Sequence, residues 1–374
     1  MMLLVRSMLA ALVLAGPAAA DPIVTITPPQ GARFFPGQRF DIRVEAAGTG
    51  KFSATMSIDG KCQPFSSPRN ACPEWTEPSA TTDGITVAAP TPYGGFNLRG
   101  FSSNEPGTHT IVAKVRDDEG TTTASATFLV QAPRPGHGGA TRNVIILLGD
   151  GMGAAHRTAA RLVEFGASGG DPNGYLAMDG FPGTGMVITH SLNSIVTDSA
   201  PGMACYTTGN HAQNGQEGVY PARMTNPFYY PRVEYISEYL HRVKGTSTGI
   251  VSTADIEDAT PAANAVHTGN RNAGTGIVDQ YLDERGNTGL TVLMGGGRRW
   301  FLPRGQYGSS RAAASDYGPL PEDLQAAWKV PAGAIDEGRD LLADFRSAGF
   351  TYLRLGDGRS TTGRNGTGHH EAHK

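Results

Sequence analysis

The strongest constraint on the fold of this chain is a change of hydrophobic pattern across a Pro/Gly-rich stretch, residues 132–142 (APRPGHGGATR). Before this stretch, apolar and polar residues alternate in short runs. After it, residues 143–148 (NVIILL) are almost continuously apolar. Alternation is typical of strands with one buried face, and a continuous apolar run is typical of a strand buried on both faces. The sequence therefore predicts two domains of different class, joined by a linker at 132–142.

The first domain, residues 21–131, is predicted to be a small all-β sandwich. Its predicted strands have apolar residues at every second position: Phe40, Ile42, Val44 and Ala46; Phe52, Ala54, Met56 and Ile58; Ile111, Ala113 and Val115; Ala124, Ala126, Phe128 and Val130. The last two runs flank a DDEG turn and predict a hairpin. This domain resembles the immunoglobulin-like modules of many exported bacterial enzymes. It carries no catalytic constellation, so we interpret it as a spacer or packing domain rather than a glycan-binding one.

The second domain, residues 143–353, alternates between strand-like and helix-like patterns. After the apolar run at 143–148, a helix is predicted at 154–165. Further α/β elements are predicted at 186–189, 233–243, 248–252, 291–294 and 341–345. This rhythm is typical of an α/β fold with a mostly parallel sheet flanked by helices. In such folds the functional residues gather at the carboxyl ends of the strands.

The N-terminus indicates export to an oxidising compartment. Residues 1–20 combine Arg6, a short apolar run and a small-residue end, as in a secretory signal peptide cleaved after Ala20. We therefore expect a periplasmic or secreted protein, with no membrane association after cleavage. Cys62 and Cys72 are a plausible disulfide, and Cys205 is predicted to be a buried packing thiol. The net charge of −3 gives no reason to expect a nucleic-acid partner.

Three polar clusters follow predicted strands of the second domain. They are GDGMG with Asp150, TDSAPG with Asp198 and Ser199, and the segment from Asp258 to Arg271 that includes Thr260. Each has a simpler interpretation when taken alone. The glycines around Asp150 fit a dinucleotide fingerprint, although a carboxylate in that loop would oppose a pyrophosphate. Ser199 before Ala-Pro fits a helix cap, a position that also receives anions well.

The three clusters together resemble the alkaline phosphatase family. GDGMG, TDSA, DATPA, HTGNR and GGGRRWF occur in the family order between residues 143 and 301. The sulfatase branch of the same superfamily is disfavoured because no Cys/Ser-x-Pro-x-Arg segment occurs. The resemblance implies hydrolysis of phosphate monoesters through a covalent phosphoserine, with Zn²⁺ and Mg²⁺ as cofactors. It makes a homodimer compatible with the chain, although no residues point to a dimer interface.

The resemblance also implies a role for each matching residue. Ser199 would be the nucleophile and a zinc ligand, since a serine hydroxyl needs an activating group. Asp150 would be a carboxylate shared by zinc and magnesium. Thr260 would be a magnesium ligand, and Asp258 would orient magnesium-bound water. Arg271 would clamp two phosphate oxygens with its planar guanidinium.

The resemblance is not complete over the C-terminal part of the sequence. Residues 302–374 match none of the family's later zinc ligands, so we expect a C-terminally incomplete phosphatase domain, ended by a frameshift after Leu353. Residues 354–374 lose apolar periodicity and predict a disordered tail, whose His369, His370, Glu371 and His373 are poorly arranged for a metal. Two function classes stay open. One is an exported phosphomonoesterase, and the other is a non-catalytic fragment with a partial phosphate site. An incomplete sheet would also expose an edge and favour association.

Overall fold

The computed structural model of the protein describes residues 21–63, 75–77, 81–82, 85–86, 93–132 and 142–353. The predicted signal peptide, most of the linker, Cys72 and the tail lie outside these residues. The strands are β1 Ile23–Thr27, β2 Ala32–Phe34, β3 Phe40–Ala47, β4 Phe52–Ile58, β5 Lys61–Gln63, β6 Trp75–Glu77, β7 Thr81–Thr82, β8 Ile85–Thr86, β9 Tyr93–Phe101, β10 Gly107–Arg116, β11 Thr121–Val130, β12 Ala167–Ser168, β13 Asp171–Pro172, β14 Thr248–Asp255 and β15 Leu290–Gly296. The helices are α1 Ala154–Phe165, α2 Ser199–Thr208, α3 Ile236–Lys244, α4 Ala259–Ala262, α5 Gly274–Asp283, α6 Arg285–Thr288, α7 Glu322–Trp328 and α8 Leu341–Ser347. Short 3₁₀ turns lie at Ala177–Gly180, Pro227–Tyr229, Arg298–Trp300 and Ala313–Ser315.

The N-terminal domain is a two-sheet sandwich, as the alternating pattern predicts. One sheet has the order β1-β3-β9, and the other has the order β2-β11-β10-β4-β5, with β6 also paired to β4. The hairpin predicted around DDEG is confirmed as the antiparallel pair β10–β11. Apolar residues of the two inner faces form one core, which includes Phe40, Ile42, Phe52, Met56, Ile111, Val115 and Phe128. Cys62, in the middle of β5, is disulfide-bonded.

The second domain has helices around a parallel strand pair. β14 and β15 are paired in parallel, with Ile250 opposite Leu293, and each matches a predicted strand. Helices α1 and α8 also lie where the sequence predicts elements. The apolar residues of β14, β15, α5 and α8 form the core of this domain, including Ile250, Ile277, Val278, Leu293, Leu341 and Phe345. The architecture is α/β, preceded by an all-β domain.

Two predicted strands are not formed. Residues 143–148 and 186–189 have no strand structure, and their side chains are exposed: Ile145 is 83% exposed and Met186 is 100% exposed. The physical reason is the absence, among the described residues, of a neighbouring strand that pairs with either segment. An apolar run indicates a tendency to be buried, but a strand also needs backbone partners on at least one side. The predictions of a buried strand at 143–148 and of a strand at 186–189 are therefore wrong for this structure.

The sandwich is packed directly against the α/β domain. The β3 strand is buried on both faces, including the polar residues Asp41 and Arg43 that alternation places away from the sandwich core. The carboxylate of Asp41 accepts hydrogen bonds from Arg99 Nη1 at 2.9 Å and from Gly100 N at 2.7 Å. From the other domain it accepts from Arg232 N at 2.9 Å and from Trp328 Nε1 at 2.8 Å. A single buried carboxylate thus joins the two domains.

The sandwich also contacts the C-terminal end of helix α2. Gln38 Nε2 donates to the carbonyl of Thr208 at 3.0 Å. The side chain of Asn210 bonds both backbone groups of Arg33: it accepts from the amide at 2.9 Å and donates to the carbonyl at 2.7 Å. The sandwich therefore holds the end of α2 opposite to Ser199. Among the described residues, no helix combines the length and apolar character needed to cross a bilayer.

Candidate active site

Ser199 is the first residue of helix α2 but is not its cap. The cap is Asp198, whose Oδ1 accepts from Ala200 N at 2.7 Å. The other oxygen, Oδ2, accepts from Gly215 N at 2.6 Å. This arrangement explains why an acid precedes the serine. Asp198 caps the helix, so the Ser199 hydroxyl does not serve as the cap. The interpretation of Ser199 as only a cap therefore does not hold.

Arg271 connects two of the polar clusters. Its Nη1 donates to Ser199 Oγ at 3.0 Å, and its Nη2 donates to Asp258 Oδ1 at 2.6 Å. Its backbone amide is held by the carbonyl of Gly215 at 2.8 Å. Partial burial lowers the pKa of Arg271, but the hydrogen bond and charge of Asp258 outweigh this effect and raise the pKa overall. The guanidinium is therefore a fixed positive charge beside the serine hydroxyl.

Thr260 and Asp150 form the third connection. Thr260 Oγ1 donates to Asp150 Oδ2 at 2.8 Å, although the two residues are 110 positions apart in the chain. Thr260 lies in the short helix α4, whose cap is Asp258, with Oδ1 accepting from Ala259 N at 2.8 Å. The five residues singled out from the sequence thus fall into two bonded groups, Ser199–Arg271–Asp258 and Thr260–Asp150, and α4 joins them.

The charge of the site favours cations. The carboxylates of Asp198 and Asp258 lie 3.5 Å and 2.6 Å from the guanidinium of Arg271, and a third carboxylate, Asp150, is bonded to Thr260 on the helix that Asp258 caps. This excess of negative charge would repel a phosphate dianion unless cations reduce it. The hard oxygen atoms of Asp150 and Thr260 suit Mg²⁺.

Sequence reasoning missed one buried acid beside the site, Glu217. It is 0% exposed, and neither of its carboxylate oxygens has a hydrogen-bond partner among the described residues. Complete burial raises its pKa well above the ordinary value, although the charge of Arg271 acts in the opposite direction. The adjacent Gly218 has φ +59°, and a Cβ there would lie 2.2 Å from the Tyr235 hydroxyl oxygen. The signal available in the sequence was a glutamate next to a turn glycine, in NGQEG.

A second missed acid is Glu257, next to Asp258. It is 8% exposed, and it lines an open cavity beside the site. Burial, followed by the charges of Asp258 and Asp255, raises its pKa to about 7. Nothing in the sequence distinguishes Glu257 from an ordinary surface acid before a capped turn.

Two other observations lie away from the serine. Cys205 is half-buried rather than fully buried, and its Sγ is 3.5 Å from His211 Nδ1, so the prediction of a buried packing thiol is only partly right. Burial raises the pKa of this thiol, which disfavours a reactive thiolate. Within the part of the chain that the structure describes, one acidic group with metal-ligand spacing occurs, formed by Asp279, Asp316 and Asp336. It includes none of the five predicted site residues.

The chain belongs to the alkaline phosphatase family. The sequence model described as "Alkaline phosphatase" matches residues 141–358, which is more than half of the chain. An alkaline phosphatase of Gadus morhua is 33% identical over 180 residues, covering 44% of this chain and 37% of that protein. A streptomycin-6-phosphate phosphatase of Streptomyces griseus is 32% identical over 224 residues, covering 52% of this chain and 46% of the relative. The chain thus spans less than half the length of these relatives.

The solved structures give only a weak superposition. The alkaline phosphatase of the Antarctic bacterium TAB5 matches 54% of this chain and 44% of its own, with 21% identity and a TM-score of 0.37. Family membership therefore rests on the sequence match.

Proposed function

We propose that this protein acts on phosphate monoesters, with Ser199 as the nucleophile and Arg271 as the phosphate-binding cation. The observation that carries the proposal is the 3.0 Å hydrogen bond from Arg271 Nη1 to Ser199 Oγ, in a member of the alkaline phosphatase family. During transfer the phosphoryl group lies against the attacking oxygen, and a cation fixed beside that oxygen stabilises the negative charge of the phosphoryl group.

The proposed reaction has two steps. Ser199 Oγ attacks phosphorus, the P–O bond to the alcohol breaks, and the alcohol leaves with a proton. Water then cleaves the phosphoserine, which restores the serine and releases phosphate. Each terminal nitrogen of Arg271 carries two N–H groups, and one of each is used by Ser199 and Asp258. The remaining N–H groups support binding of two phosphate oxygens. The start of α2 contributes little, because Asp198 occupies Ala200 N and Pro201 has no N–H.

The described residues fit magnesium. Asp150 and Thr260 supply adjacent oxygen atoms, and Asp258 lies on the same turn as Thr260. We propose that Asp150 and Thr260 hold Mg²⁺, with Asp258 binding a water on the ion. A bound Mg²⁺ would supply positive charge that lowers the repulsion between the site and phosphate.

The described residues do not fit a complete zinc site. A catalytic zinc takes three protein ligands. Among the described residues, the one group with metal-ligand spacing, Asp279, Asp316 and Asp336, includes neither Ser199 nor Asp150, and no histidine or cysteine joins them in such a group. This observation favours a second candidate function, in which the chain binds phosphate without hydrolysing esters.

The test combines turnover with trapping. Purified protein would be assayed with p-nitrophenyl phosphate at alkaline pH, with added Zn²⁺ and Mg²⁺. Mass spectrometry would then look for a phosphate adduct on Ser199. Ser199→Ala should abolish both signals, and the matched variant Ser347→Ala on α8 should keep them. Phosphate binding without turnover would support the non-catalytic function. Absence of both phosphate binding and turnover would overturn the proposal.

Export is part of the same proposal. Residues 1–20 would direct secretion and be removed after Ala20. N-terminal sequencing of the protein recovered from the periplasm or medium would start at Asp21. Recovery of an uncut chain in the cytoplasm would contradict this part of the proposal.

A further inference from the structure

An open cavity of about 520 Å³ lies beside the phosphate-binding arginine. It is lined by Asp255, Glu257, Asp258, Asn272, Arg299 and Trp300. Asp258 both lines this cavity and accepts the hydrogen bond from Arg271. The cavity therefore begins one side chain away from the position proposed for the phosphate. Its size suits a small organic group rather than a single ion.

Two of the three acids in the cavity are already neutralised by arginines. Asp255 is paired with Arg299 at 2.8 Å, and Asp258 is paired with Arg271 at 2.6 Å. Glu257 is different, because it is 8% exposed and has no hydrogen-bond or ion-pair partner among the described residues. Glu257 lines the cavity, and its oxygens are not among the enclosed polar atoms without a partner, so they are open to the cavity and can accept a hydrogen bond from a donor group of a ligand.

The wall beside Glu257 is aromatic. Gly274 has no side chain, and a Cβ there would lie 2.5 Å from Glu257 Oε1 and 2.6 Å from Trp300 Cη2. The carboxyl of Glu257 and the indole of Trp300 therefore both pack against Gly274. The guanidinium of Arg299 lies 5.7 Å from the centre of the Trp300 ring and helps to fix it. An acceptor oxygen next to an aromatic ring is a combination that recognises ammonium groups.

We propose that this cavity binds the alcohol part of the substrate and selects alcohols that carry an amine. Glu257 accepts a hydrogen bond from the ammonium group, and Trp300 forms the wall against which the short carbon chain packs. The substrate class is therefore aminoalkyl phosphates. This inference rests on the proposed function, because it takes Arg271 as the phosphate ligand.

Two ligands of equal length test the inference. Aminoethyl phosphate and propyl phosphate differ only in the terminal ammonium or methyl group. Both would be titrated by calorimetry into the Ser199→Ala protein at pH 8, with Zn²⁺ and Mg²⁺ present, so that binding is measured without turnover. We expect aminoethyl phosphate to bind about tenfold more tightly, as for one hydrogen bond between charged groups. Glu257→Gln should reduce this preference to about twofold or less.

Matched variants separate a local effect from a general one. Glu322→Gln removes the same charge from an exposed position on α7 and should keep the preference. Trp300→Leu should weaken binding of the amine about two- to fivefold. Thermal unfolding and Mg²⁺ titration of each variant would check folding and the metal site.

The outcomes distinguish this inference from the proposed function. Equal affinity for the two ligands, or a preference that survives Glu257→Gln, overturns the inference while phosphate binding still supports the function. A loss of Mg²⁺ affinity that accounts for the whole effect of Glu257→Gln also overturns it, since Glu257 would then serve the metal. If inorganic phosphate does not bind at all, the proposed function fails and the inference fails with it.

Discussion

Arg271 Nη1 lies 3.0 Å from Ser199 Oγ, so the guanidinium and the hydroxyl share one site although 72 residues separate them. Replacing Arg271 by lysine would keep the charge but lose the planar fork. We expect affinity for inorganic phosphate to fall about 10- to 100-fold, which corresponds to one hydrogen bond between charged groups. Calorimetric titration with inorganic phosphate measures this affinity. Arg304→Lys, at an exposed pair with Glu337, should leave affinity unchanged. Equal affinity in Arg271→Lys would show that the fork is not used.

The buried carboxylate of Asp41 gives a prediction about stability. It receives four donors, two of them from the α/β domain, so Asp41→Ala leaves Trp328 Nε1 and the backbone amide of Arg232 without their acceptor and removes one of the two carboxylates paired with Arg99. We expect a loss of about 3–5 kcal/mol in the free energy of unfolding, measured by urea denaturation. Asp323→Ala removes the other, half-exposed partner of Arg99 and should cost about 1 kcal/mol or less. Similar losses for the two variants would contradict the role of Asp41 as a link between domains.

The His109–Asp59 pair in the sandwich predicts a pH dependence. Burial lowers the pKa of His109, but the hydrogen bond to Asp59 and neighbouring acceptors raise it overall, while the pKa of Asp59 is lowered despite its burial. For His109, the stabilisation is complete below the unfolded pKa of 6.5 and is lost as pH rises through the higher folded value. For Asp59, it is present above 3.8 and is lost as pH falls through the lower folded value.

His109→Gln should therefore reduce the loss of stability between pH 6 and pH 9. Because Asp59 is partly exposed, we expect the difference between the two proteins to be ~0.5–1 kcal/mol over this range. Denaturation followed by circular dichroism at several pH values measures it. His156→Gln, at an exposed position, is the matched control. Parallel pH curves for the parent and His109→Gln would refute the prediction.

The exposed apolar segments give a prediction about association. Ile145 is 83% exposed in a segment without strand partners, and Ile23 is 73% exposed on β1. We expect Ile145→Lys to decrease self-association, measured by sedimentation velocity, because it removes exposed apolar surface from an unpaired segment. Ile23→Lys should have a smaller effect. Neither should lower the melting temperature. A large loss of stability in Ile145→Lys would mean that this side chain is buried in solution.

The helix starts at TDSA and DATPA follow from short motifs, because caps and turns depend on local residues. The contacts of Arg271 with Ser199 and of Thr260 with Asp150 depend on the tertiary fold, and the catalytic and metal-binding roles of these residues stay predictions. Whether residues 143–148 form a strand could not be predicted from a local motif. Its formation depends on a partner strand, and the apolar pattern reports only the tendency to be buried.

Burial of polar residues was the other feature that sequence could not predict. Asp41 and Arg43 occupy the polar positions of an alternating strand, which normally face solvent. They are buried because the second domain covers that face, and the pattern of one domain contains no information about its neighbour. Glu217 and Glu257 were missed for a related reason, since an acid in a turn is usually exposed; the turn glycine after Glu217 is only a weak signal of enclosure, and nothing local marks Glu257.

The contact between the sandwich and helix α2 has a mechanical consequence. An α-helix of ten residues is about 15 Å long and stiff along its axis, so a displacement of one end also displaces the other end. Arg33 and Gln38 hold the far end of α2, and Ser199 is at the near end. The sandwich therefore fixes the position of α2 and, through the helix, the position of Ser199. Separating the sandwich from the α/β domain would remove the contacts that position this helix, even if every residue around the serine stayed the same.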